Sequence, residues 1–250
     1  MEKNLINKVK LFCFPYAGGS SYIYSKWKKG LDPRIDLQLI ELAGRGERLS
    51  DKQYQDIYEA IDDLYIKVKG KLNESPVMLF GYSMGSLLTY EIAKKLQCDG
   101  TNELAHIFVA AKNPPYCGTE RILSDLGEKE FKEMLLIYGG TPKEILDNSD
   151  ASRYFLPILR NDFKLVETYK VNREKEKLNC NLTVMYGSQD STVKAGEMIH
   201  WADYTSGSCK EIIFNGDHFF MLEEWQGMIH IINQTVDCYF RSTKLEGSCV

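Results

Sequence analysis

A chain of 250 residues with 44% hydrophobic and 26% charged side chains has the composition of a globular unit, which excludes a disordered, collagen-like or coiled-coil chain. A net charge of -4 argues against a general nucleic-acid binder, which carries a basic stripe. The longest apolar runs, such as Met134 to Tyr138, fall far short of the roughly 20 residues that cross a bilayer.

The first apolar segment, Lys10 to Phe14, is closed by charge and Pro15 too early for a secretory signal. Seven scattered cysteines without a Cys-x-x-Cys pair fit the reduced thiols of a cytoplasmic protein better than a disulfide framework or a zinc cage. Strands are predicted at Val9–Phe14, Leu37–Glu41, Val77–Phe80, Ile107–Ala110, Leu182–Tyr186 and Glu211–Phe214. They are short and largely apolar, as strands buried on both faces are. Between the second and third, Ile57, Ile61, Leu64, Val68 and Leu72 recur at helical spacing, and Trp225, Met228, Ile229, Ile232 and Val236 do so near the end. Such alternation predicts a single α/β domain over 1–250, with a mostly parallel sheet flanked by helices and its chemistry in the loops beyond the strands' carboxyl ends. Residues 113–173 break the pattern. Phe131–Tyr138, Pro142–Leu146 and Phe155–Tyr169 read as helices around Gly139-Gly140, an insertion too long for an ordinary crossover and expected to form a lid. Residues 241–250 are polar and expected to be a disordered tail.

The sharpest local signal is Gly81-Tyr82-Ser83-Met84-Gly85. It matches the G-x-S-x-G elbow that lifts a nucleophilic serine above a sheet, here after a strand and before a helical pattern containing Leu88, Ile92 and Leu96. Serine needs a base. Of the four histidines, His106 opens a strand, the wrong end, and His200 and His230 lie in helical patterns. His218 follows Glu211–Phe214 across Asn215-Gly216-Asp217. The acid that orients it is read as Asp190, which follows Leu182–Tyr186 through Gly187-Ser188-Gln189; Asp217 and Asp203 are the weaker rivals. Ser83, Asp190, His218 is the chain order of the α/β-hydrolases. Backbone N–H groups of Met84 and of Ala17, in Pro15-Tyr16-Ala17-Gly18-Gly19-Ser20, are the expected oxyanion hole. That loop is not a phosphate loop, since no Gly-Lys-Ser/Thr follows, and Gly44-Arg45-Gly46 lacks the third glycine of a dinucleotide site. Arg45 and Arg48 are read as tying down their own loop, and Lys26, Lys28 and Lys29 as a solvated face.

These segments, together with Leu156-Pro157-Ile158-Leu159-Arg160-Asn161-Asp162-Phe163, Glu167-Thr168-Tyr169 and Gly216-Asp217-His218-Phe219-Phe220, resemble the type II thioesterases that accompany nonribosomal peptide and polyketide synthases. The resemblance runs from about Val9 to Phe240; one departure is Ala43, where the family usually has proline. It implies an α/β-hydrolase fold with a helical lid, with Ser83 as nucleophile, His218 as base, Asp190 as acid and Ala17 and Met84 as oxyanion donors. It further implies hydrolysis of acyl thioesters on the phosphopantetheine arm of an acyl- or peptidyl-carrier domain, to clear stalled or wrongly primed groups. The expected protein is a monomer without cofactor or metal, its pantetheine belonging to the substrate, and without nucleic-acid or membrane partners. The alternatives are release of a finished product or a medium-chain fatty acid, an oxygen-ester hydrolase, and a non-catalytic interaction protein.

Overall fold

The structure, a computed structural model, describes residues 8–100, 104–119, 121–171 and 177–246. Six strands form one sheet: β1 (Val9–Phe14), β2 (Ile35–Leu39), β3 (Val77–Tyr82), β4 (Leu104–Ala110), β5 (Asn181–Gly187) and β6 (Cys209–Phe214). Their order is β2-β1-β3-β4-β5-β6, and every neighbouring pair is parallel. Parallel strands require long crossovers, which the helices supply. The order reverses between β1 and β3, and at such a switch point a crevice opens beyond the strand ends.

Side-chain alternation divides the core in two. Phe12, Phe14, Val77 and Leu79 point to one face, where α1 (Ile57–Lys69) and α2 (Met84–Asp99) cover them. Leu11, Cys13, Met78 and Phe80 point to the other, under α7 (Met221–Glu246) and a 3-10 turn at Ser21–Lys29. Helix α1 starts where the Asp56 carboxylate accepts the Tyr58 and Glu59 N–H groups, a cap that satisfies otherwise unpaired amides. Ile57, Ile61, Leu64 and Val68 of its predicted stripe are buried, joined by Ala60, while Leu72 lies beyond the helix end and is partly buried. The second strand lies two residues earlier than expected, at the sheet's edge with β1 as its neighbour; Ile40 follows it, its N–H still donating to the Cys13 carbonyl.

Between β4 and β5 lie α3 (Glu128–Tyr138), α4 (Lys143–Asp147) and α5 (Ser149–Glu167), and the short α6 (Ala195–Met198) follows β5. They share a separate apolar cluster of Leu123, Phe131, Leu135, Leu146, Leu156 and Leu159. Residues 120, 172 and 173 of the expected insertion lie outside the described residues. The tail expectation needs correction: α7 continues through Glu246. Arg241 pairs with Asp237 one turn back, and Ser242 and Thr243 hydroxyls donate to the Tyr239 carbonyl, so polar residues extend the helix through local bonds. Residues 247–250 lie outside the described residues. The described cysteines are free, and no described helix is long and apolar enough to cross a membrane.

His106 is buried inside this core, its Nε2 2.8 Å from Thr183 Oγ1. Burial pushes its pKa down to about 3. Below an unfolded value of about 6.5 the unfolded chain takes a proton that the folded chain refuses, so stability is lost as pH falls from there toward about 3. Urea midpoints between about pH 6.5 and about pH 4 should therefore fall less steeply in His106→Gln than in the wild type.

Candidate active site

The crevice at the switch point is where the expected site residues meet. Ser83 ends β3 with φ 53° and ψ -115°, a left-handed conformation costly for any residue with a Cβ. Its N–H donates to the Ala110 carbonyl at 2.8 Å, and the buried Ser86 hydroxyl donates to the Gly81 carbonyl at 2.9 Å, holding the elbow shut. The flanking glycines answer a steric demand. A Cβ on Gly81 would stand 2.1 Å from the Gly85 carbonyl oxygen, and one on Gly85 2.2 Å from that of Phe14.

His218 stands 3.1 Å from Ser83 Oγ through Nε2, and its Nδ1 lies 2.9 Å from Asp190 Oδ2. An ionised carboxylate only accepts, so Nδ1 carries the proton and Nε2 presents its lone pair to the serine hydroxyl. Asp190 is buried, which pushes its carboxyl up, but the hydrogen bond and charge of His218 and the two donors of Thr192 outweigh burial and hold it below the ordinary range. Thr192 donates N–H and hydroxyl to Asp190 Oδ1 at 2.9 and 2.6 Å. The Tyr82 hydroxyl donates to the His218 carbonyl at 2.6 Å and fixes that loop from below. The rivals are engaged elsewhere. Asp217 is exposed and accepts the Phe219 N–H, Asp203 lies 3.6 Å from His200, and His230 is exposed beside Gln234.

Ala17 and Met84 line the same cavity as Ser83 and His218. Met84 opens α2, so its amide is one of the helix's unpaired N-terminal donors. In the loop after β1 the Gly18 N–H goes to Asp162 Oδ2 at 2.7 Å and the Gly19 N–H to the Tyr16 carbonyl at 2.9 Å, so neither is available to a substrate oxygen.

Arg45 behaves otherwise than expected. It is buried and reaches away from its own loop, donating to Asp162 Oδ2 and Oδ1 at 2.6 and 2.7 Å and to the Gly19 carbonyl at 3.1 Å. Burial alone would lower its pKa; the charge of Asp162 reverses that and raises it. Arg48 does bind its own surroundings, through Asp51, Asp63, the Tyr54 hydroxyl and the Glu41 carbonyl. Lys26 lies 4.9 Å over the Trp225 ring rather than wholly in solvent.

Asp162, Thr192 and Tyr82 were not singled out for roles at the sequence level. Asp162 left a readable trace: it interrupts the buried stripe Ile158, Leu159, Leu165 of α5, and a carboxylate on a buried stripe requires a cation. Thr192 left no comparable trace.

The cavity measures about 420 Å³. Leu123, ahead of α3, and Leu135, Tyr138, Ile145, Phe155 and Phe163 from the inserted helices form its apolar wall. Gly139 and Gly140, both at positive φ, seat the Phe219 ring beside His218; a Cβ on Gly140 would stand 2.1 Å from Phe219 Cζ. Close packing accounts for this pair. Among the described residues no cluster of His, Cys, Asp and Glu is placed to hold a metal ion.

Comparison with known proteins agrees with this geometry. The protein named linear gramicidin dehydrogenase LgrE of Brevibacillus parabrevis is 34% identical over 236 residues, covering 93% of this chain and 89% of its own. The medium-chain S-acyl fatty acid synthase thioesterase of Rattus norvegicus is 31% identical, covering 86% of this chain and 82% of its own. The crystal structure of the type II thioesterase BorB, from the borrelidin biosynthetic cluster, superposes with a TM-score of 0.83 at 30% identity, over 91% of this chain and 92% of that one. Residues 9–236 match the family described as the thioesterase domain. With a parallel sheet, a serine on a strained elbow and a histidine in reach of it, the chain belongs to the thioesterase family.

Proposed function

We propose that this chain is a type II thioesterase, a serine hydrolase that frees acyl groups held as thioesters on the phosphopantetheine arm of carrier domains. By this reading it restores the carriers of a nonribosomal peptide or polyketide synthase after stalling or wrong priming. The observation that carries it is the line Asp190–His218–Ser83, with contacts of 2.9 and 3.1 Å, opening onto a chamber walled by apolar side chains. His218 takes the Ser83 proton as Oγ bonds to the thioester carbon. The carbonyl oxygen becomes an oxyanion facing the Ala17 and Met84 N–H groups, where preorganised donors act most strongly. Collapse breaks the C–S bond, and His218 returns the proton to the departing thiolate. Water then attacks the acyl-serine, His218 takes its proton, and the acid leaves as Ser83 is reprotonated. The net change is thioester plus water to carboxylic acid plus thiol. No step calls for a cofactor.

The inserted helices over 113–173 serve as the lid of the acyl chamber. If the lid moves, its amides exchange faster than those of β3 and β4; equal protection ends that part of the reading. A second reading, release of a medium-chain fatty acid, is favoured by the rat synthase thioesterase among the relatives.

The deciding experiment loads a carrier domain with acetyl, medium-chain or aminoacyl groups and follows acid release by mass spectrometry. Broad turnover favouring small groups supports editing. Strong preference for medium chains supports the second reading. Turnover of matched oxygen esters alone overturns both.

A further inference from the structure

The chamber above Ser83 has two unlike walls. Opposite the apolar helices runs the loop leaving β4, where Lys112 lines both the chamber and a small cavity beside it. Just before it Ala111 adopts φ 53°; with Ser83 it is one of two non-glycine residues at positive φ among the described residues. Such strain collects at ligand clamps and active sites. The loop is pinned from three directions. The Ala111 N–H donates to the Met185 carbonyl at 2.9 Å, Trp201 Nε1 to the Lys112 carbonyl at 2.9 Å, and Asn113 Nδ2 to the Thr192 carbonyl at 3.0 Å. Ser83 N–H is bonded to Ala110, so Lys112 lies at most about 7 Å of chain from a residue touching the nucleophile.

Among the described residues Lys112, Arg121 and Lys194 line the chamber together with the acid Glu167. Glu167 already accepts the Leu123 and Ser124 N–H groups. Lys112 has no carboxylate partner among the described residues, and burial pulls its pKa down to about 8, with Cys117 opposing weakly. That value leaves the ammonium protonated at neutral pH. A half-buried cation in the chamber wall, without a carboxylate partner, favours an anionic ligand group beside it.

We propose that Lys112 forms an anion subsite inside the acyl chamber, selecting acyl groups that carry a second carboxylate. This rests on the thioester-hydrolase reading. The other anion of such a substrate, the pantetheine phosphate, sits at the far end of the arm, and the test leaves it out. N-acetylcysteamine thioesters of malonyl and glutaryl groups are compared with their uncharged isosteres, 3-methylbutanoyl and 5-methylhexanoyl. In the wild type at least one diacid should be hydrolysed as fast as its isostere or faster, and Lys112→Met should lower that diacid-to-isostere ratio in kcat/KM at least tenfold. Slower turnover of both diacids than of their isosteres overturns the proposal without needing the variant. So does an unchanged ratio in a folded Lys112→Met. Hydrolysis of the isosteres alone leaves the thioesterase reading standing, whereas inertness of all four thioesters, on carriers as well, brings down both.

Discussion

Ser83→Ala and His218→Ala are each expected to lower kcat for thioester hydrolysis by about 10⁴-fold or more, and the double variant by little beyond the worse single one. The reason is that the two side chains act as one unit: an alcohol at 3.1 Å from a ring nitrogen is a nucleophile only while that nitrogen takes its proton. Residual turnover should persist, since chamber and oxyanion donors remain. Both variants should keep the wild-type fold, because neither side chain fills the core and Ala suits the space left. The check is single-turnover kinetics on a loaded carrier alongside thermal unfolding. Multiplicative losses in the double variant, or full turnover by either single one, would mean that another pair performs the chemistry.

Asp162→Asn should damage both stability and catalysis. Asp162 is fully buried and takes three hydrogen bonds, two from Arg45 and one from Gly18 N–H. Removing its charge strands a buried guanidinium, a loss of about 3–5 kcal/mol, or roughly 6–20 °C in Tm for a chain of this size. It also weakens the acceptor of the Gly18 amide, next to Ala17, by replacing a carboxylate oxygen with a neutral amide oxygen. If Ala17 N–H then drifts from the oxyanion position, kcat should fall by about 10²–10³-fold. A paired variant, Arg45→Met with Asp162→Leu, separates the effects. Removing both charges recovers most of the stability, whereas Gly18 N–H loses its acceptor altogether and kcat stays low. A stable paired variant with normal kcat would reduce the ion pair to packing alone. Leu159 presses on the same loop, so close that a Cβ on Gly18 would stand 2.3 Å from it; α5 therefore governs the loop through both charge and shape.

What the sequence determined by itself was whatever a short stretch of chain decides. Short apolar runs located the strands and period-3.6 patterns the main helices, because a strand covered on both faces is apolar along its length and a half-buried helix must place its apolar residues where the core lies. The elbow was legible because its glycines answer clashes within five residues. The placement of Asp190 and His218 beside Ser83 was legible because each follows a strand by a few residues and chain order then singles them out. The length of the last helix was not, because the bonds of Ser242 and Thr243 look like loop chemistry until a helix is already beneath them. Tertiary structure alone decided who stands behind the site. Arg45 and Asp162 lie 117 residues apart, and the Arg45 loop is joined to α5 only because the sheet order reverses between β1 and β3. Tyr82 likewise gains its contact to the His218 carbonyl from a loop that is distant in the chain. Whether a buried charge is satisfied depends on such distant neighbours, and no local pattern records them.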